Sequence, residues 1–119
     1  MPRTLYTLTK EFEKYIDDIE TQVRTGTFEN PIIASVENNS ITIEYMNYIR
    51  NIEIRTSVTL DLENKEEPRY TIMHKIYLER TRTRTATSIL ELGRNKGYEL
   101  YNEGGKIIRL VKKGVLAKK

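Results

Sequence analysis

The hydrophobic residues of this chain change period near residue 30, and that change constrains the fold more than any other feature. Before it, Leu8, Phe12, Tyr15, Ile16, Ile19 and Val23 recur three and four apart, the single apolar stripe of a helix. Thr9 is the expected N-cap, and Glu11 and Glu13 fall in a first turn where the helix dipole favours negative charge. Arg24 followed by Gly26 marks the C-terminal end. After the change the pattern alternates. "IIASVE" at 32–37 reads as a strand, and Asn38–Ser40 as a tight turn whose residues tolerate positive φ. Ile41, Ile43 and Tyr45 then share one face of a second strand.

From Arg50 on, Ile52, Ile54, Val58, Leu60 and Leu62 are apolar at even positions. Glu53, Arg55, Ser57, Thr59 and Asp61 are polar at odd ones, the signature of a half-buried strand. A charged loop, Glu63 to Pro68, leads to Tyr70, Ile72, His74, Ile76 and Leu78, again at even positions. A loop that short predicts antiparallel pairing of the two strands. Continued alternation would put Arg80, Arg82 and Arg84 on the face of Leu78, past the edge of the core.

"ATSILELGRNKG", residues 86–97, reads as a short second helix with Ile89, Leu90 and Leu92 inward and Gly97 closing it. Residues 98–114 then form a hairpin turned at Gly104 and Gly105. The expected fold is α+β: a mainly antiparallel sheet of about six strands in the order α-β-β-β-β-α-β-β, with both helices packed on it. A single domain over 1–113 and a basic tail over 114–119 complete the expectation.

With 119 residues there is enough chain for one core. No apolar run approaches the roughly 20 residues of a membrane span, and the first residues lack the apolar segment of a secretory signal. The absence of cysteine points to an intracellular, cytoplasmic protein. The net charge of +3 is unevenly distributed. Residues 1–64 hold 6 basic and 11 acidic side chains (−5), and residues 65–119 hold 14 and 6 (+8). The second half is therefore expected to meet something anionic, unless folding interleaves the two halves.

Absences exclude most chemistries. One histidine and no cysteine argue against a zinc site, and His74, set among Ile72, Ile76 and Leu78, reads as a structural side chain. No glycine motif cradles a phosphate, and no tyrosine has the partners of a covalent DNA-cleaving site. Asp17 and Asp18 diverge by about 100° on a helix, and Glu63, Glu66 and Glu67 sit in a loop with Lys65 and Arg69. The expectation is a protein that is not an enzyme and takes no cofactor or metal. An enzyme of scattered acids would declare itself as a deep pocket lined by two or more carboxylates.

The feature that invites a function is "LERTRTRTATSI", with Arg80, Arg82 and Arg84 at every second position. Alternate residues of a strand lie roughly 6.5–7 Å apart on one face, close to the phosphate spacing of a nucleic-acid strand. The terminal hairpin adds Lys106, Arg109, Lys112 and Lys113, with Tyr98 and Tyr101 as stacking surfaces. This reading predicts a homodimeric module that binds DNA or RNA without base specificity and involves no membrane. The alternative is a protein-interaction, structural or inhibitor module that uses complementary acidic and basic halves. Arg and Thr could equally form a plain protected strand end.

Ser88 to Lys113 is similar to a motif in a widespread family of small domains of unknown function, in which a helix ending in Leu-Gly passes through Gly-Trp-Glu-Leu into a basic hairpin. The matching residues are Leu90, Leu92, Gly93, Gly97, Tyr98, Glu99 and Leu100, with tyrosine in place of tryptophan. The resemblance implies a β-α-β-β arrangement and no activity. The Ile-, Tyr-, Lys- and Arg-rich composition also resembles accessory proteins of thermophilic archaea and their viruses.

Overall fold

The computed structural model describes residues 2–79, 81–103 and 106–116. Helix α1 (Pro2–Thr25) is followed by β1 (Ile33–Glu37), β2 (Ser40–Ile49), β3 (Ile52–Asp61) and β4 (Arg69–Tyr77). Helix α2 (Thr83–Asn95), β5 (Glu99–Glu103) and β6 (Ile107–Val115) complete the chain. One antiparallel sheet holds all six strands in the order β1-β2-β3-β4-β6-β5. This is the α+β order that the periodicity implies. Among the described residues, no helix is long and apolar enough to cross a membrane.

Helix α1 starts earlier than its stripe suggested. Proline is its first residue, a position that suits a fixed φ and a missing N–H. Thr9 therefore lies inside the helix and is no N-cap, and Glu11 and Glu13 are mid-helix. Leu8, Phe12, Ile16, Ile19 and Val23 are buried against Ile43, Ile54, Val58, Ile72, Ile76 and Leu110 of the sheet. Two tight turns have the backbone the sequence allows: Asn38 has φ 56° between β1 and β2, and Arg50 and Asn51 have φ 48° and 71° between β2 and β3. Arg50 is anchored to α1 through Glu11, with its Nε 3.0 Å from Oε2.

Two boundaries differ from the sequence reading. Strand β4 stops at Tyr77, and α2 begins at Thr83, so the described part of the Arg-Thr run, residues 81–85, is no strand. Alternating Arg and Thr offers no apolar face to fix a two-residue period. Ala86, Ile89 and Leu92 pack on the core at helical spacing, and they determine the conformation of residues 83–95. The tail also begins later, since Gly114 and Val115 pair with Tyr70 and Arg69 and the Leu116 N–H reaches the Pro68 carbonyl. Arg80, the Gly104–Gly105 turn and residues 117–119 lie outside the described residues.

Helix α2 ends in a Schellman motif. The Gly97 N–H bonds the Arg94 carbonyl and the Tyr98 N–H the Gly93 carbonyl, with Gly97 at φ 87°. Gly93 sets how closely α2 approaches the sheet, because a Cβ there would lie 2.8 Å from Leu110 Cδ2. Both helices thus cover the same face, the one bearing the even residues of β3, β4 and β6. The opposite face has no cover within the described chain.

Candidate interaction surface

The residues nominated from the sequence separate into three places. Arg82 and Arg84 are exposed at the start of α2. Lys106 lies where β4 ends, its carbonyl accepting the Leu78 N–H at 2.6 Å. Arg109 and Lys113 sit at odd positions of β6 on the uncovered face, as does Tyr101 of β5. Arg109 is tied to Glu103 at 3.0 Å, whereas Tyr101 stays 48% exposed. Lys112 points the other way, under α1.

Tyr98 is corrected outright as a stacking surface. It precedes β5 and is buried, with its hydroxyl donating to Glu20 Oε2 at 2.9 Å. Lys112 Nζ donates to the other oxygen of that carboxylate at 2.8 Å and to the Lys96 carbonyl at 3.0 Å, and lies over the Tyr98 ring. Burial, and then the Glu20 carboxylate, push the Tyr98 hydroxyl pKa well above its ordinary value. Lys96 closes the same side of α1 through Glu13 and Asp17 at 3.3 and 3.1 Å. Some of the acidic first half is therefore neutralised within the chain.

Beneath this lies a polar chain in the core. Thr56 Oγ1 is 2.7 Å from the Tyr15 hydroxyl and 2.8 Å from His74 Nδ1, and both Thr56 and His74 are buried. His74 Nε2 has no hydrogen-bond partner among the described residues, and the rings of Tyr15 and Tyr98 flank the imidazole. Burial alone lowers the His74 pKa to about 3, which keeps the ring neutral. Among the described residues, no group of three His, Asp or Glu side chains is placed to hold a metal ion.

The sequence reading nominated Tyr101, Arg109 and Lys113 but did not place them on an uncovered sheet face shared with apolar side chains. Strand pairing puts Arg55, Ser57, Met73 and Lys75 on the two middle strands, with Met46 on β2, Ile33 and Tyr101 on the edge strands, and Tyr48 and Tyr77 together in the row at one end. Ile33 is 50% exposed, Met46 45% and Tyr48 57%. A shallow trough of about 410 Å3 runs between Ile32, Ile33, Met46, Met73 and Tyr77, with Glu44, Arg55 and Lys75 on its walls. A more polar groove of about 810 Å3 continues along the same face past Ser35, Thr42, Thr59 and Thr71. Glu37, Asp61 and Glu63 line it and are all exposed. Glu37 and Asp61 lie two strands apart, about 10 Å, so the acids do not converge as an acid-base pair would.

Charge on this face follows the halves of the chain, because the strand order keeps them apart. Strands β1 to β3 contribute Glu37, Glu44, Glu53 and Asp61 against Arg55. Strands β4 and β6 contribute Arg69, Lys75, Arg109 and Lys113, and β5 adds Glu99 and Glu103 at the far edge. The sequence signal for this face is an apolar phase opposite to the core's: Met46 and Tyr48 on β2, Met73 and Tyr77 on β4. No family model matches this chain, and no curated protein or solved structure is found to resemble it.

Proposed function

We propose that this chain is a non-enzymatic protein-interaction module whose working surface is the uncovered face of its sheet. One observation carries the reading. Both helices pack on a single face, and the other leaves Ile33, Met46, Tyr48 and Tyr101 about half exposed among charged side chains. Large apolar side chains left exposed together on one face in this way mark contact surfaces. A polyanion is less well suited to this face, where the six acidic side chains named above outnumber the five basic ones. The test is a photo-crosslinking amino acid placed at Met46, with the same group at the exposed Thr21 of α1 as control. A protein adduct from position 46 and none from position 21 is expected. Protein adducts from position 21 alone would refute the reading.

A second reading, polyanion binding, is favoured by one local observation. The Leu78–Lys106 hydrogen bond brings Lys106 to the start of the connection that leads to Arg82 and Arg84 at the head of α2, and none of these three holds an ion pair among the described residues. Nucleic-acid binding at this corner would be purely electrostatic. Changing Arg82, Arg84 and Lys106 together to Gln would reduce the slope of log K against log salt by about 2–3. An unchanged slope would remove the corner from consideration.

A further inference from the structure

We infer that the outer edge of β1 is a strand-addition site, and that its occupant is an extended segment of another protein in which basic and apolar side chains alternate. The site goes beyond the face proposed above, because its main-chain groups belong to neither face of the sheet. Strand β1 ends the sheet, and among the described residues its backbone makes no hydrogen bond beyond β2. The two-residue connection to β2 makes Glu37 and Ser40 the closing hydrogen-bonded pair, so Ala34 and Val36 turn their N–H and C=O groups outward. All five residues of β1 are exposed, Val36 by 73%. Sheet edges are usually guarded by charge or proline. The other edge, β5, has a glutamate at each end, whereas β1 has no lysine or proline and carries one charge, Glu37. An unguarded edge of this kind accepts an extended peptide, whose backbone supplies affinity and whose alternate side chains select the sequence.

The side chains beside the edge define the segment. On the helix side, Val36 continues the row of Leu60 and Ile41, and Ala34 continues the row of Val58 and Ile43. These rows run from the buried core to the open edge, so apolar side chains fit opposite Ala34 and Val36. On the other side, Glu37 stands at one end of β1, and Glu44 lies next to Ile33 at the other. Neither carboxylate is in an ion pair among the described residues. A lysine opposite Glu37 meets it directly, and one opposite Ile33 reaches Glu44 a further strand inward, about 4.8 Å on. The alternation Lys-Val-Thr-Val-Lys satisfies all these positions and reads the same in either direction. A second copy is poorly matched. The register that pairs all five residues of β1 with another β1 puts Glu37 of each copy in line with Glu44 of the other, so like charges meet twice.

Fluorescence anisotropy of a labelled Lys-Val-Thr-Val-Lys peptide tests this on the full chain. Saturable binding is expected. N-methylation of the three central amides should weaken it about tenfold or more, since those groups make the strand bonds. The acidic peptide Glu-Val-Thr-Val-Glu should also bind about tenfold more weakly. In the double variant Glu37→Lys, Glu44→Lys that preference should reverse, with circular dichroism unchanged. The reversal places the peptide beside these two residues, and the N-methyl control separates strand pairing from plain attraction of charge. No saturable binding by the wild type, binding indifferent to N-methylation, or a preference unchanged by the double variant would each overturn the site. A foreign protein crosslinked at Met46 with no peptide binding would end strand addition and keep the uncovered face. A wild-type dimer that Val36→Pro dissolves would overturn the occupant, because a second copy would then hold the edge.

Discussion

The two faces of this sheet are made by the same strands and differ in almost every physical respect. On β3, Ile52, Ile54, Thr56, Val58 and Leu60 point under the helices and are buried, while Arg55, on the other side, is exposed. The covered face admits two fully buried polar side chains, Thr56 and His74, and they bond each other. The uncovered face mixes methionine, tyrosine, isoleucine and charge, and its apolar residues remain in contact with water. Burial on the covered face has been completed by α1 and α2 within the chain. On the other face the same kind of side chain stays exposed to water. Stability is thus concentrated on one side of the sheet, and the proposed contact surface lies on the other, which can be tested by perturbing them separately.

The largest effect is expected on the covered face. Ile54 and Ile76 are cross-strand neighbours and almost fully buried. Ile54→Ala or Ile76→Ala should each lower the unfolding free energy by about 2–5 kcal/mol, read from the denaturant midpoint. A midpoint unchanged in both would mean the covered face is not the core.

Next comes acid. His74 has a folded pKa of about 3 against 6.5 for an exposed imidazole, because Tyr15, Thr56 and Tyr98 surround it and no carboxylate offsets its burial. Between those values the unfolded chain binds the extra proton, so stability rises with pH across the window and is lost as pH falls below about 6.5. By pH 4 the loss attributable to this residue should be on the order of 3 kcal/mol. His74→Gln should flatten the pH dependence of the midpoint over pH 4–6.5. An equally steep dependence in the variant would assign the acid sensitivity to the carboxylates.

Much of this arrangement is legible in the sequence because apolar periodicity encodes burial directly. The element order, the stripe of α1 and the even phase of β3 and β4 all follow from it. What escaped reading has no such code. The Arg-Thr run looked like a strand because two polar residue types alternated, yet without an apolar member the alternation specifies no buried face, and Ile89 and Leu92 imposed a helix. Thr56 shares the core phase but was passed over as polar, and its burial depends on finding Tyr15 and His74 in space. Tyr98 was placed on the surface because the turn at Gly97, which directs it under α1, is a matter of backbone geometry. The bare face depends on the position of α2. Until both helices are known to lie on one side, Met46 and Met73 could equally be core.

The ion pairs divide along the same line. Glu20 takes hydrogen bonds from Tyr98 and Lys112 at the covered side, with both charged side chains about three-quarters shielded. Glu20→Ala leaves a buried hydroxyl and a shielded ammonium without their acceptor and should cost about 1–3 kcal/mol. Loss below about 0.5 kcal/mol would show that water replaces the carboxylate there, and the contrast between the faces would shrink.

The smallest effect should come from the uncovered face, and it is the most diagnostic. Arg55 Nε is 2.6 Å from Glu53 Oε2, the guanidinium lies over the Tyr77 ring, and the Tyr48 hydroxyl reaches Glu53 at 3.3 Å. Close contacts alone would suggest a strong pair. The Arg55 side chain, however, is 60% exposed, so water and salt screen the attraction, and exposed pairs of this kind contribute about 0–1 kcal/mol. A double-mutant cycle of Arg55→Ala and Glu53→Ala should give a coupling in that range that falls further with added salt. A coupling well above about 1 kcal/mol that added salt leaves unchanged would mean that this face is already shielded from water, and the contrast between the two faces would fail at its outer half.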